Sequence, residues 1–204
     1  MKTSPQELKS RVAAEAATLL YYGAEKEYKQ AKLKAAQTFG THFLPSNHDV
    51  ALELDRIVEE HEGATRKEHL VQMRRDALNI MTALKAYCPR LIGSVWRGTA
   101  RKTSDIDIAV YHDAPEELPN ILESYGFRVS TTEWVTVTKQ GKTETSFHIN
   151  VTLGNHTAEV VVRNLEEANR KRICEVFGDT ITGLTFQELA KVLDEDPTRK
   201  FLPT

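Results

Sequence analysis

The sequence predicts an α+β protein, with a mixed β-sheet and flanking helices preceded by an all-helical region. Three observations predict it. Good helix formers, helical apolar spacing and repeated start signals run through the first 88 residues. Past Pro89 the texture changes to short strands and turns mixed with shorter helices. The 204 residues, 40% apolar and 27% charged, suit one to one and a half globular domains. The expected division is a helical region over residues 1–88 and a sheet-bearing domain over residues 89–204.

The first helix opens with Ser4-Pro5-Gln6-Glu7, which supplies a capping serine, a proline at the first helical position and a glutamate three residues past the cap. It is expected to run towards Gly40. A second helix starts after Pro45, carries Val50, Leu54, Ile57 and Val58, and stops at Gly63. The third begins with Thr65-Arg66-Lys67-Glu68, another capping box, and sets Leu70, Met73, Ala77, Met81 and Leu84 on one face before Pro89 ends it. Arg90–Ser94 and Ile106–Tyr111 read as strands, and Pro115–Tyr125 as a helix stopped by Gly126. Phe127–Thr138 alternates at period two, Lys139-Gln140-Gly141-Lys142 reads as a turn, and Thr143–Leu153 as the returning strand. Ala158–Arg163 forms a further strand after the Gly154-Asn155 turn. Asn164-Leu165-Glu166-Glu167 should open a helix lasting to Phe177, a final helix follows Thr185-Phe186-Gln187-Glu188, and the tail from Asp194 should be loose.

Several classes of function are disfavoured. The formal net charge of −2 argues against a protein coated in nucleic acid, although Arg97, Arg101 and Lys102 form one basic cluster and Arg170, Lys171 and Arg172 another. No apolar run approaches the ~18 residues of a membrane span, and the polar start MKTSPQELKSR lacks a secretion signal, so a cytoplasmic protein is expected. Cys88 and Cys174 are isolated and read as buried free thiols rather than zinc ligands. Trp96 and the Tyr21-Tyr22 pair read as packing, and His148 and His156 as hydrogen-bonded or exposed turn residues.

The stretch with chemical content is Gly93-Ser94-Val95-Trp96-Arg97-Gly98, followed after five residues by Ser104-Asp105-Ile106-Asp107. Gly93 and Ser94 follow an apolar strand, where a residue without a side chain lets backbone N–H groups approach a phosphate and a hydroxyl can donate to it. Asp105 and Asp107 are two apart, so both carboxylates project from one face of a strand. Two like charges in a small volume are unfavourable alone and become favourable with a divalent cation between them; hard oxygen ligands suit magnesium. Gly-Ser, Arg-Gly and Asp-x-Asp at these fixed offsets would arise by chance in roughly one chain in 10⁵.

This segment resembles the signature of the DNA polymerase β-like nucleotidyltransferase superfamily in its small bacterial and archaeal members, G-S-x-x-R-G-x(5)-S-D-I-D. Gly93, Ser94, Arg97, Gly98, Ser104, Asp105, Ile106 and Asp107 all match, while Trp96 replaces a smaller residue often found there. The resemblance is strong over about twenty residues, weaker over Arg90–Arg163, and does not cover the helical region. It implies a palm-like core, Mg2+ (two ions, with Mn2+ an alternative), a nucleoside triphosphate, and transfer of a nucleoside monophosphate with release of pyrophosphate. Asp105 and Asp107 are then expected at the metal, and Gly93, Ser94, Arg97, Lys102 and Ser104 at the nucleotide, with Arg97 or Lys102 offsetting the phosphate charge. The acceptor could be a small molecule, an RNA end or a protein side chain. A non-catalytic nucleotide-binding protein of the antitoxin kind, with a toxin-like partner or a second copy of itself, is the alternative.

The family also needs a third carboxylate on a neighbouring strand, which the signature does not contain. Glu133, Glu144 and Glu159 are the candidates between Phe127 and Arg163. Glu144 follows the Gly141 turn, the natural place for a solvated hairpin end. Glu159 is the only acid in the apolar run Ala158–Arg163, where an unpaired carboxylate is costly unless a cation or donor meets it. Glu159 is therefore taken as the third catalytic and metal-binding residue, with an ion pair to Arg163 or another base as the competing reading.

Overall fold

A computed structural model describes residues 4–139 and 142–203, so Gln140 and Gly141, the centre of the expected turn, lie outside the described residues. The chain divides into two compact units: one runs through Arg66 and includes Ile173–Thr180, the other comprises Lys67–Arg172 with Ile181–Leu202. Among the described residues, no helix is long and apolar enough to cross a membrane.

The first unit is helical. Helix α1 (Pro5–Tyr21) starts with the expected box, in which Ser4 Oγ accepts from Glu7 N–H at 3.1 Å. It does not continue to Gly40. The chain leaves the helix at Tyr22, passes Gly23 in the left-handed region (φ 72°), and resumes as α2 (Tyr28–Thr38), because a glycine there terminates a helix at little steric cost. Val12, Ala13, Ala16, Ala17 and Leu20 form a core with Ala31, Ala35 and Ala36 of α2 and with Val50 and Ile57. Those last two lie on α3 (Asn47–Ala83), a helical run interrupted at Gly63 (φ 51°, ψ −127°), where the sequence placed a stop. Arg66, just past the break, reaches back to Asp55 and to Glu59 (2.9 Å).

The second unit carries the sheet. Its strands are β1 (Arg90–Ile92), β2 (Ile106–Tyr111), β3 (Arg128–Lys139), β4 (Lys142–Leu153), β5 (His156–Arg163) and β6 (Leu184–Thr185), in the order β3-β4-β5-β2-β1-β6. The β2–β5 pair is parallel and the others are antiparallel, giving the expected mixed sheet and α+β class. Helices α4 (Gly93–Arg97), α5 (Leu118–Ser124) and α6 (Phe186–Glu195) complete it. Alternation along the strands sorts the two faces. Ile106, Ile108, Val110, Phe147, Ile149, Val151, Ala158, Val160 and Val162 join one core with Leu70, Met73, Ala77, Met81 and Leu84 of α3. The alternate positions Asp107, Glu159, His148 and Asn150 are left to the opposite face, and none of them is fully buried.

Three further expectations fail. The helix foreseen from Asn164 to Phe177 is a single 3₁₀ turn, Leu165–Glu167, because Arg170 and Arg172 are drawn to Glu144 and Glu167 by ion pairs that overrule helical preference. Neither cysteine is buried: Cys88 is exposed at the left-handed end of the 3₁₀ turn Lys85–Tyr87, and Cys174 is half-buried. The tail is docked rather than loose. Phe201 N–H donates to the Arg97 carbonyl at 2.9 Å. Arg74, with 0% exposure, donates to the carbonyls of Val95 (3.2 Å), Trp96 (3.0 Å), Pro197 (2.8 Å) and Arg199 (2.8 Å). Burial lowers its pKa to about 10, so it remains a cation at neutral pH. A short helix leaves its last carbonyls without partners, and this guanidinium supplies them from α3 while gripping the tail.

Candidate active site

The strand-to-helix turn after β1 brings the backbone against the carboxylates. Ile92 pairs with Asp107, and Gly93, with φ of 71°, is the first residue of α4. A Cβ on Gly93 would stand 1.9 Å from Asp107 Oδ2 and 2.8 Å from its Cγ, so only hydrogen fits there. Gly93→Ala is expected to cost about 1–2 kcal/mol from the left-handed backbone alone, and more as Asp107 is pushed away. A lowered melting temperature together with lost nucleotide binding would show it; an unchanged protein would mean that the turn does not position Asp107.

The parallel register sets Asp107 directly beside Glu159. Asp105 lies just before β2, is exposed, and accepts from the Thr157 hydroxyl. Burial, then Glu159, then Asp105 all raise the pKa of Asp107, to about 7 against an ordinary 3.8. Three hard-oxygen donors thus crowd one sheet face around a carboxylate that resists ionising. That donor chemistry fits a divalent cation, which would favour the ionised form of each. As the side chains stand, no three His, Cys, Asp or Glu residues among those described are set to enclose an ion. Asp105 is turned to Thr157 and Glu159 to His148.

The remaining predicted positions separate. Ser94 is half-buried at the first turn of α4, beside Gly93. Ser104 accepts from Arg101 N–H at 3.0 Å, while its own N–H donates to the Arg101 carbonyl at 2.9 Å, closing the loop before Asp105. Lys102 is exposed on that loop. Arg97 is buried, donates to the Phe201 carbonyl at 3.0 Å and lies 4.1 Å over the Trp96 ring, which places it behind the motif in the tail contact. Glu133 pairs across the sheet with His148, and Glu144 is held by Arg170 (2.7 Å) and Arg172 (2.9 Å), so neither accompanies Asp107 as Glu159 does.

Sequence reasoning missed two neighbours. His148 Nδ1 lies 2.7 Å from Glu159 Oε1, and its Nε2 lies 2.8 Å from Ser146 Oγ. Thr157 engages Asp105. The only local hint was that both occupy outward positions of alternating strands. His156, by contrast, is buried and bonded to Asp76 at 2.7 Å.

The nucleotidyltransferase domain family matches residues 90–177. No curated protein sequence matches the chain. Among solved structures, Cid1 in complex with the UTP analogue UMPNPP aligns with TM-score 0.36 and 18% identity, over 55% of this chain and 37% of that one. A cytoplasmic RNA terminal U-transferase aligns with TM-score 0.30 and 17% identity, over 58% and 34%. The GLD-2/RNP-8 complex aligns with TM-score 0.31 and 16% identity, over 54% and 39%. The chain spans little more than a third of these proteins. The stretch that matches the nucleotidyltransferase domain family holds the signature, both aspartates and Glu159.

Proposed function

We propose that this protein moves a nucleoside monophosphate from a nucleoside triphosphate, with ATP as donor, to a hydroxyl acceptor. The acceptor oxygen bonds to the α-phosphorus, pyrophosphate leaves, and the hydroxyl proton is released. The observation that carries the reading is Asp107, pressed against Gly93 and crowded by Glu159 and Asp105. These three carboxylates would hold Mg2+, which when bound offsets the charge of the phosphates and of the attacking and leaving oxygens. Gly93 keeps the backbone close enough for its N–H groups to meet the triphosphate, and Ser94 adds a hydroxyl. Lys102 reaches the phosphates from the loop that Ser104 closes. Arg97 supports these residues from behind, through Trp96 and Phe201.

Incubation with each labelled nucleoside triphosphate and Mg2+ tests the reading by pyrophosphate release or self-labelling. ATP titrated calorimetrically is expected to bind in Mg2+ and at least tenfold more weakly in EDTA, since the carboxylates repel a bare triphosphate. Equal affinity would remove the metal from the proposal. Glu159→Gln is expected to abolish release while the helical unit stays folded.

A second reading is favoured by the bonds that Asp105 and Glu159 already make to Thr157 and His148. In it the chain binds nucleotide without turning it over and acts through a partner protein. Nucleotide binding without pyrophosphate release from any of the four triphosphates would favour it.

A further inference from the structure

The two outer carboxylates of the site are each bonded to a side chain of β5 or β4. Asp105 accepts from the Thr157 hydroxyl, and Glu159 Oε1 lies 2.7 Å from Nδ1 of His148. The imidazole is itself seated, with its Nε2 2.8 Å from Ser146 Oγ and only 16% of its side chain exposed. The strand register gives these bonds a direction. Thr157 precedes Glu159 by two residues on β5, while His148 stands opposite Val161, two residues beyond it. Thr157, Glu159 and Val161 share one face. The outer carboxylates are therefore tied to partners whose levels on β5 differ by four residues, roughly 13 Å of strand. Asp107 stands beside the middle level, that of Glu159. After burial, Glu159 and Asp105 are what raise the pKa of Asp107, so each bond that draws an outer carboxylate aside relieves the cluster. An ion with bonds of about 2.1 Å needs the opposite, all three carboxylates drawn together.

We infer that His148 and Thr157 restrain the site: they hold Glu159 and Asp105 apart, and a divalent cation shared by the three carboxylates displaces both bonds. Their role rests on the metal site proposed above. A bare ion is then bound more weakly than the same carboxylates would bind it once released. His148 and Thr157 are positioning residues, which set the affinity for the ion without touching it.

Binding of Mn2+ alone to the full chain, at fixed pH and without nucleotide, tests this by electron paramagnetic resonance and by the rise in melting temperature. His148→Phe keeps a ring and removes the donor, and Thr157→Val keeps the shape and removes the hydroxyl. Each is expected to tighten Mn2+ binding about threefold, and the two together about tenfold, as the loss of one and of two modest hydrogen bonds requires. His148→Asn and Thr157→Ser retain a donor and should bind within about twofold of the parent. Weaker binding in folded His148→Phe or Thr157→Val would overturn the restraint, since these residues would then be supporting the ligands. Unchanged binding in either would overturn it as well. Thr157 is exposed, so its variant decides the outcome if His148→Phe does not fold. If Asp107→Asn abolishes binding that His148→Phe and Thr157→Val leave unmoved, the metal site stands and the restraint falls. A parent that fails to bind Mn2+, with variants that fail likewise, would remove the metal site and the restraint with it.

Discussion

Asp107→Asn is expected to stop transfer and, without divalent cations, to make the protein more stable than the parent at pH 8. Burial, then Glu159 and Asp105, raise the pKa of this carboxyl to about 7 in the folded chain, against an ordinary 3.8. Below about pH 4 it is protonated in both folded and unfolded chains, and the parent and variant should be equally stable. Between about 4 and 7 the folded chain holds a proton that the unfolded one has lost. The parent therefore loses stability as pH rises, and the deficit is complete above 7. Discounted for a half-buried position, the gain from asparagine is about 1–3 kcal/mol at pH 8. Mg2+ should raise the melting temperature of the parent and leave that of the variant unchanged. Transfer should fall by at least ~10³, because a neutral amide cannot hold the ion. Parallel stability profiles from pH 4 to 8 would show that Asp107 is not the strained group.

The largest loss of stability is expected from Arg74→Met. The change removes a donor from each of four backbone carbonyls in one step, of which, among the described residues, Val95 alone keeps another, the Gly98 N–H, and no water reaches a group with 0% exposure. Unsatisfied buried carbonyls cost about 1–3 kcal/mol each when nothing relaxes, and release of the tail returns some of that. A net cost of about 3–5 kcal/mol corresponds to a melting temperature lowered by roughly 10 °C in a chain of this size. Proteolysis should then cut between Pro197 and Phe201 in the variant and spare the parent. A variant as stable and as resistant as the parent would mean that the tail is held by something else.

The parts of the fold that were legible share a physical character. Gly93, Asp105 and Asp107 are fixed by short-range geometry, a turn and a strand of period two, and so they could be read in one window. The adjacency of Glu159 to Asp107 was also accessible, because a lone acid in an apolar strand demands a nearby partner; its role remains the proposal made above. Arg74 could not be read in this way. It looks like any arginine on a helix, and what buries it lies up to 125 residues away. The helix foreseen after Asn164 had local sequence in its favour, and ion pairs to a distant strand decided otherwise. The outward positions of His148 and Thr157 are too common a signal to single them out, since a hydroxyl or an imidazole there is ordinary until the strand beside it is known.

The grip of Arg74 and Arg97 on residues 197–201 also has a temporal side. Arg97 and Phe201 are separated by 104 positions, so the ribosome must add about that many residues after the signature before this contact can form. At ordinary rates of synthesis that interval is roughly 5 to 20 s. During it, the nascent chain holds α4 without the contacts that Arg74 and Arg97 make to residues 197–201. The packing behind α4 is therefore completed abruptly, once residues 197–201 have emerged, rather than growing with the sheet.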